Sequence, residues 1–192
     1  MTRPGPPPLP PWRPAFARLA EKYRQLGALR RARALGEPVP ERQVFRALAA
    51  EFPGALHELD NLPLDEIDAR RAALDAAVAG GPAAPWMEPM AAYHALMRAA
   101  LYLKIRLSRL ATSTPTSDEA EAAALASLAA RASAHSGIDV DVAFARAVHA
   151  PPEGRLNRVV MAALAERSGL PPDALRQMLF PRRARRSEDP LE

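Results

Sequence analysis

Residues 88–110 read E-P-M-A-A-Y-H-A-L-M-R-A-A-L-Y-L-K-I-R-L-S-R-L, and this stretch decides the class of fold. Set at 100° per residue, Tyr93, Leu96, Met97, Ala100, Leu103, Leu107 and Leu110 fill one wide arc. His94, Arg98, Tyr102, Arg106 and Arg109 gather on the other side. An apolar arc of that breadth predicts a central helix on which several others pack. No stretch of the chain alternates polar and apolar residues with period two, so no strand competes.

Helical signals continue outward on both sides. On the N-terminal side, Phe16, Leu19, Tyr23 and Leu26 recur at three- and four-residue steps, predicting a helix over 15–35 that Gly36 and Pro38 stop. A second helix follows Pro40, carries Val44, Phe45 and Leu48 inward, and breaks at Pro53-Gly54. A helical turn over 55–59 leads to a third helix over 64–79, with Asp65, Glu66 and Asp68 in its first turn and Gly80-Gly81-Pro82 at its end. On the C-terminal side, a Ser/Thr-rich link over 112–117 precedes a fifth helix, where Thr116 and Glu119 have capping-box spacing and Gly137 gives the stop. Three short helices follow, over 140–149, 155–167 and 172–180.

Composition agrees. Alanine supplies 42 of 192 residues and is the best helix former, because it loses no side-chain entropy and buries no polar atom. Cysteine is absent, which excludes disulfides, thiolate metal sites and a cysteine nucleophile. The N-terminus lacks the apolar core of a signal peptide, and no apolar run reaches the ~20 residues of a membrane span. A cytoplasmic chain with no membrane partner is expected.

Seven prolines in residues 1–14 predict an extended, disordered arm, whose Pro6-Pro7-Pro8-Leu9-Pro10-Pro11-Trp12 run has the form of a polyproline ligand. The preferred reading is a disordered tail whose Trp12 folds back onto the domain. The full expectation is an all-α protein: the arm 1–14, a body of about four helices over 15–111, a helical unit over 112–181 ending in a trihelical unit, and a basic then acidic tail over 182–192.

The net charge is +4, and 24 of the 26 basic residues are Arg. Its distribution says more than its sum. Residues 1–46 balance at +7, 51–88 at −6, 89–111 at +4, 112–154 at −4 and 155–186 at +6.

The last basic block coincides with the most informative segment, residues 162–179, A-A-L-A-E-R-S-G-L-P-P-D-A-L-R-Q-M-L. Ala165 is small enough to let a second helix approach. Gly169 can take a left-handed turn, Leu170 follows it, and Leu175 and Met178 can seal a second helix. This stretch resembles a helix-turn-helix unit, with 140–149 as its third helix. The resemblance implies DNA as partner and 172–180 as the reading helix, its outer face carrying Asp173, Arg176 and Gln177. Arg176 and Gln177 would contact base edges, and Arg182, Arg183, Arg185 and Arg186 would follow phosphates. Pro171 departs from the usual capping residue, and Asp173 puts a negative charge near the DNA backbone.

Other constellations have plainer readings. The basic face of His94, Arg98, Arg106 and Arg109 is either a phosphate or acidic-partner site, or a solvated face pairing with the acidic third helix. Lys104 falls within the apolar arc, as a nucleophile of lowered pKa or as a side chain that carries its ammonium out to water. His57, Glu58 and Asp60 lie close together, but no second histidine stands at ligand spacing, so no metal is expected. No strained serine elbow or glycine-rich phosphate loop occurs, so neither an enzyme nor a cofactor is expected. The alternative to a DNA-binding regulator is a helical adaptor that binds an acidic protein or a second copy of itself. A third class would bind a metal or small molecule within the helical body.

Overall fold

A computed structural model describes residues 12–38, 41–110, 117–149 and 156–180, apart from the side chains of Glu41 and Arg42. These residues form α1 (Arg13–Leu35), α2 (Glu41–Glu51), α3 (Ala55–Asn61), α4 (Leu64–Val78), α5 (Met87–Leu110), α6 (Asp118–Ser136), α7 (Val142–His149), α8 (Leu156–Ser168) and α9 (Pro172–Leu179). There is no strand among the described residues, and the protein is all-α with bundle-like helix packing. No helix among them is long and apolar enough to cross a membrane. The predicted arm, up to Pro11, and the tail over 182–192 lie outside the described residues, as does the Ser/Thr-rich link apart from Ser117.

The start of α1 corrects one expectation. The proline pattern places Arg13 and Pro14 in the non-helical arm, yet the helix begins at Arg13 with Pro14 in its first turn. Proline is tolerated there, because the amide it lacks has no partner within the helix at that position. Trp12 is half-buried, and its carbonyl accepts the Phe16 amide at 2.8 Å.

The chain divides into two compact units, one reaching as far as Glu88 and including Phe180, the other Pro89–Leu179. In the first unit α1 and α4 run antiparallel. Arg13 donates to the Val78 carbonyl at 2.6 Å near one end, and Arg31 reaches both oxygens of Asp68 at 2.6 and 2.7 Å toward the other. At Gly27 the helices lie close: a Cβ built there would be in ordinary contact with Ile67 Cγ2 at 3.6 Å, and the end of the Arg31 side chain of α1 itself, at 3.0 Å, would have to give. Leu19, Tyr23 and Leu26 of α1, Leu59 of α3, and Ile67 and Leu74 of α4 are buried in this core.

In the second unit α5 is joined to its neighbours by polar as well as apolar contacts. Arg98 donates to the Ser136 carbonyl at 3.4 Å, Tyr102 stacks on His135 with ring centroids 5.2 Å apart, and the Tyr93 hydroxyl meets Asn157 at 3.0 Å. The cap of α6 is Ser117, whose hydroxyl accepts from the Ala120 amide at 3.4 Å; Thr116 lies outside the described residues. After α6, Ser133 Oγ ties down the turn by accepting the Val140 amide at 2.9 Å.

Candidate nucleic-acid interface

The last three helices build the surface the sequence singles out. Asp141 opens α7 by accepting the Phe144 amide on its carboxylate at 2.7 Å, and Phe144, Ala145 and Val148 turn inward. Leu156, Val160, Met161 and Leu164 form the inner stripe of α8. At its end Ser168 Oγ donates to the Leu164 carbonyl at 2.7 Å and accepts the Leu170 amide at 3.3 Å. Gly169 has φ 68, and its amide donates to the Ala165 carbonyl at 2.9 Å. Three residues, Gly169, Leu170 and Pro171, separate α8 from α9. Pro171 stands where a capping side chain is usual, and its carbonyl closes the first turn of α9 by accepting the Leu175 amide at 3.0 Å.

On α9, Leu175 and Leu179 are fully buried, while Met178, expected to seal the pair, is half-buried. Leu179, four residues beyond Leu175, takes the inner position. Asp173, Arg176 and Gln177 are exposed, and Arg176 Nη1 stands 3.3 Å from Asp173 Oδ1. The carboxylate the sequence set against a nucleic-acid partner is thus already engaged, one helical turn before the arginine. Both members are well hydrated, at 58% and 89% exposure, so the pair opens at little cost. Arg182, Arg183, Arg185 and Arg186 lie outside the described residues.

A second feature of the same unit is a half-open groove of about 670 Å³ along α7 and α8. Phe144, Ala147, Val159 and Ala163 give it an apolar lining, and Asp141, Arg158 and Glu166 stand among its walls. Sequence reading did not find it, because small residues at helical spacing read equally well as packing.

The remaining candidates are scattered. His94, expected on the outer face of α5, is buried at 5% exposure, with its ring edge-on to Tyr93. Arg98 is half-buried, whereas Arg106 and Arg109 are exposed, so these four residues present no single solvated face. Asp68 pairs with Arg31, and Glu66 pairs with Arg70 at 2.8 Å. Lys104, placed in the apolar arc by its spacing, is exposed. His57 is exposed as well, with Nδ1 3.2 Å from the Asn61 amide nitrogen. Among the described residues no three His, Cys, Asp or Glu side chains group as a metal site.

The strongest polar cluster was not anticipated. Lys22 of α1 and Glu58 of α3 form an ion pair at 2.7 Å, with side-chain exposures of 0% and 2%. Lys22 Nζ lies 4.8 Å from the centre of the Tyr23 ring, and Arg70 of α4 donates to the Tyr23 hydroxyl at 3.1 Å. The Arg70 guanidinium also lies 4.9 Å from the Trp86 ring. Burial pushes the Lys22 ammonium below its ordinary pKa, against the opposing pull of Glu58. Burial, reinforced by the Glu58 charge, raises that of Tyr23. Among the described residues Glu58 Oε2 has no hydrogen-bond partner. No known protein family, curated protein or solved structure matches this chain.

Proposed function

We propose that this protein is a non-catalytic DNA-binding regulator that sets α9 in the major groove and reads base edges with Arg176 and Gln177. One observation carries the reading. A short helix, held after a left-handed glycine turn by two buried leucines, exposes two side chains of base-reading type next to each other. A helix fits the major groove, where arginine can pair with O6 and N7 of guanine and glutamine with N6 and N7 of adenine. Arg182, Arg183, Arg185 and Arg186 follow α9 directly in the chain and would bind phosphates. The N-terminal helices would serve dimerisation or an acidic protein partner, in the cytoplasm and without a cofactor.

The test is to bind the purified protein to random genomic DNA fragments and sequence those retained, for wild type and for Arg176→Ala. One short enriched motif is expected, relaxed at one or two base pairs in the variant. Binding that ignores sequence and disappears near physiological salt would sink the proposal.

A second reading, a helical adaptor, has the groove along α7 and α8 in its favour. An apolar lining with charges at its walls suits the apolar face of a partner's amphipathic helix. Fragment binding with no motif and no effect of Arg176→Ala would favour this reading.

A further inference from the structure

The seven residues of α3 lie between two backbone breaks. Before it, Pro53 leads to Gly54 at φ 89; after it, Leu62 is extended and Pro63 follows. A helix of this length is not stable alone in water, so α3 exists because it is docked. Its apolar anchors are Ala55, Leu59 and the adjoining Leu62. Its polar anchors to α1 are the buried Lys22–Glu58 pair, the bond from Arg30 to the Leu62 carbonyl at 2.6 Å, and an exposed Arg33–Asp60 pair at 3.1 Å.

The buried pair is an unusual fastening. Both charges have left water, and one carboxylate oxygen has gained no donor in return. Such a pair contributes little net stability compared with an apolar contact of the same size. Opening α3 restores water to both groups, so the opened state is favoured relative to one that exposes only leucines. By contrast, α1 and α4 also hold each other through the Arg13 and Arg31 contacts, neither of which involves α3. The charged and titratable groups around Glu58 are Lys22 and Tyr23 of α1 and Arg70 of α4, with Glu66 behind Arg70. Two cations therefore face one carboxylate, and its negative charge keeps α3 in place.

We propose that α3 is a displaceable cover over α1, fastened by the ion pair of Glu58 with Lys22. Release leaves the Arg13 and Arg31 contacts between α1 and α4 in place and opens Leu59 and Leu62 to water.

Hydrogen–deuterium exchange on the full chain at neutral pH tests this. The amides of Leu59 and Leu62 should be at least about a hundredfold less protected than those of Leu26 and Leu74. In Lys22→Met/Glu58→Leu the α3 amides should approach the protection of α1. Equal protection of α3 and α4 in the wild type would overturn the proposal. So would a double variant whose α3 exchanges as in wild type.

Discussion

At Lys22 and Glu58, the cost of breaking an interaction differs from the cost of replacing it. Lys22→Met leaves a carboxylate buried beside Tyr23 with its ion-pair partner gone, and should lower unfolding free energy by about 3–5 kcal/mol. Lys22→Met/Glu58→Leu removes both charges and should return stability to within about 1 kcal/mol of wild type, or raise it. Urea titration followed through Trp86, 6.1 Å from the Tyr23 ring, checks both. The same cluster predicts an alkaline stability profile. Lys22 is lowered from 10.5, so between its folded pKa and 10.5 the unfolded chain binds more protons, and stability rises with pH. Tyr23 is raised from 10.0, so above that pH the folded chain keeps a proton the unfolded chain has lost, and stability falls. Stability should therefore climb and then drop near pH 10, and Tyr23→Phe should remove the drop; a fall that persists in this variant would assign it elsewhere. Half of this cluster was legible. Lys22 stands three residues after Leu19 and four before Leu26, which is inner-face spacing, and Glu58 precedes Leu59. That they meet was not legible, because 36 residues separate them and neither charge names its partner. Lys104 is the converse case. Its spacing places it inside, yet it is exposed although Leu103 and Leu107 of the same arc are buried.

At the scale of the element, helix ends were the most readable feature, because they depend on neighbours in sequence. Gly36, Gly137 and Gly169 each follow a helix in a left-handed conformation, where the stop was expected. The face of a helix that turns inward depends on distant residues, and there spacing failed for His94 and Met178. Gly169 allows a clean test, since a Cβ built there meets nothing within 4 Å. Any penalty for Gly169→Ala is thus backbone strain at φ 68, about 1–2 kcal/mol, and Gly169→Val should cost more because its β-branch restricts the turn further. Gly169→Asn should cost less than either, and thermal melts of the three variants give the order. If all three melt alike, the turn has relaxed to another conformation. Asp173 sits in the first turn of α9, where a carboxylate also favours the helix dipole. Asp173→Ala should lose part of that support, remove a negative charge from the proposed DNA-facing surface, and free Arg176. Affinity for random DNA should rise while preference at the base pair read by Arg176 weakens. Titrations on specific and scrambled duplexes separate these effects.

At the scale of the whole molecule, the separation of basic and acidic blocks suggests where a polyanion would be met. The +6 balance of residues 155–186 comes from eight Arg against Glu166 and Asp173, and four of those Arg lie within five residues, 182–186. The first 46 residues carry a comparable excess, +7, but Arg31 and Arg33 there are occupied by Asp68 and Asp60. If the C-terminal block meets phosphates, each Arg displaces condensed counterions, and the logarithm of affinity falls with the logarithm of salt by about 0.9 per contact. Replacing Arg182, Arg183, Arg185 and Arg186 together by Ala should flatten that slope by about 3–4 and weaken binding to every DNA sequence alike. Arg176→Ala should behave differently. Its cost, about 1–3 kcal/mol, should appear at one or two base pairs and leave most of the slope intact. The two variants thus separate attraction from reading in a single set of salt titrations. If the fourfold variant keeps the wild-type slope, the C-terminal arginines do not touch phosphates. If Arg176→Ala lowers affinity equally on specific and scrambled duplexes, α9 contributes charge without sequence, and the balance moves to the groove along α7 and α8.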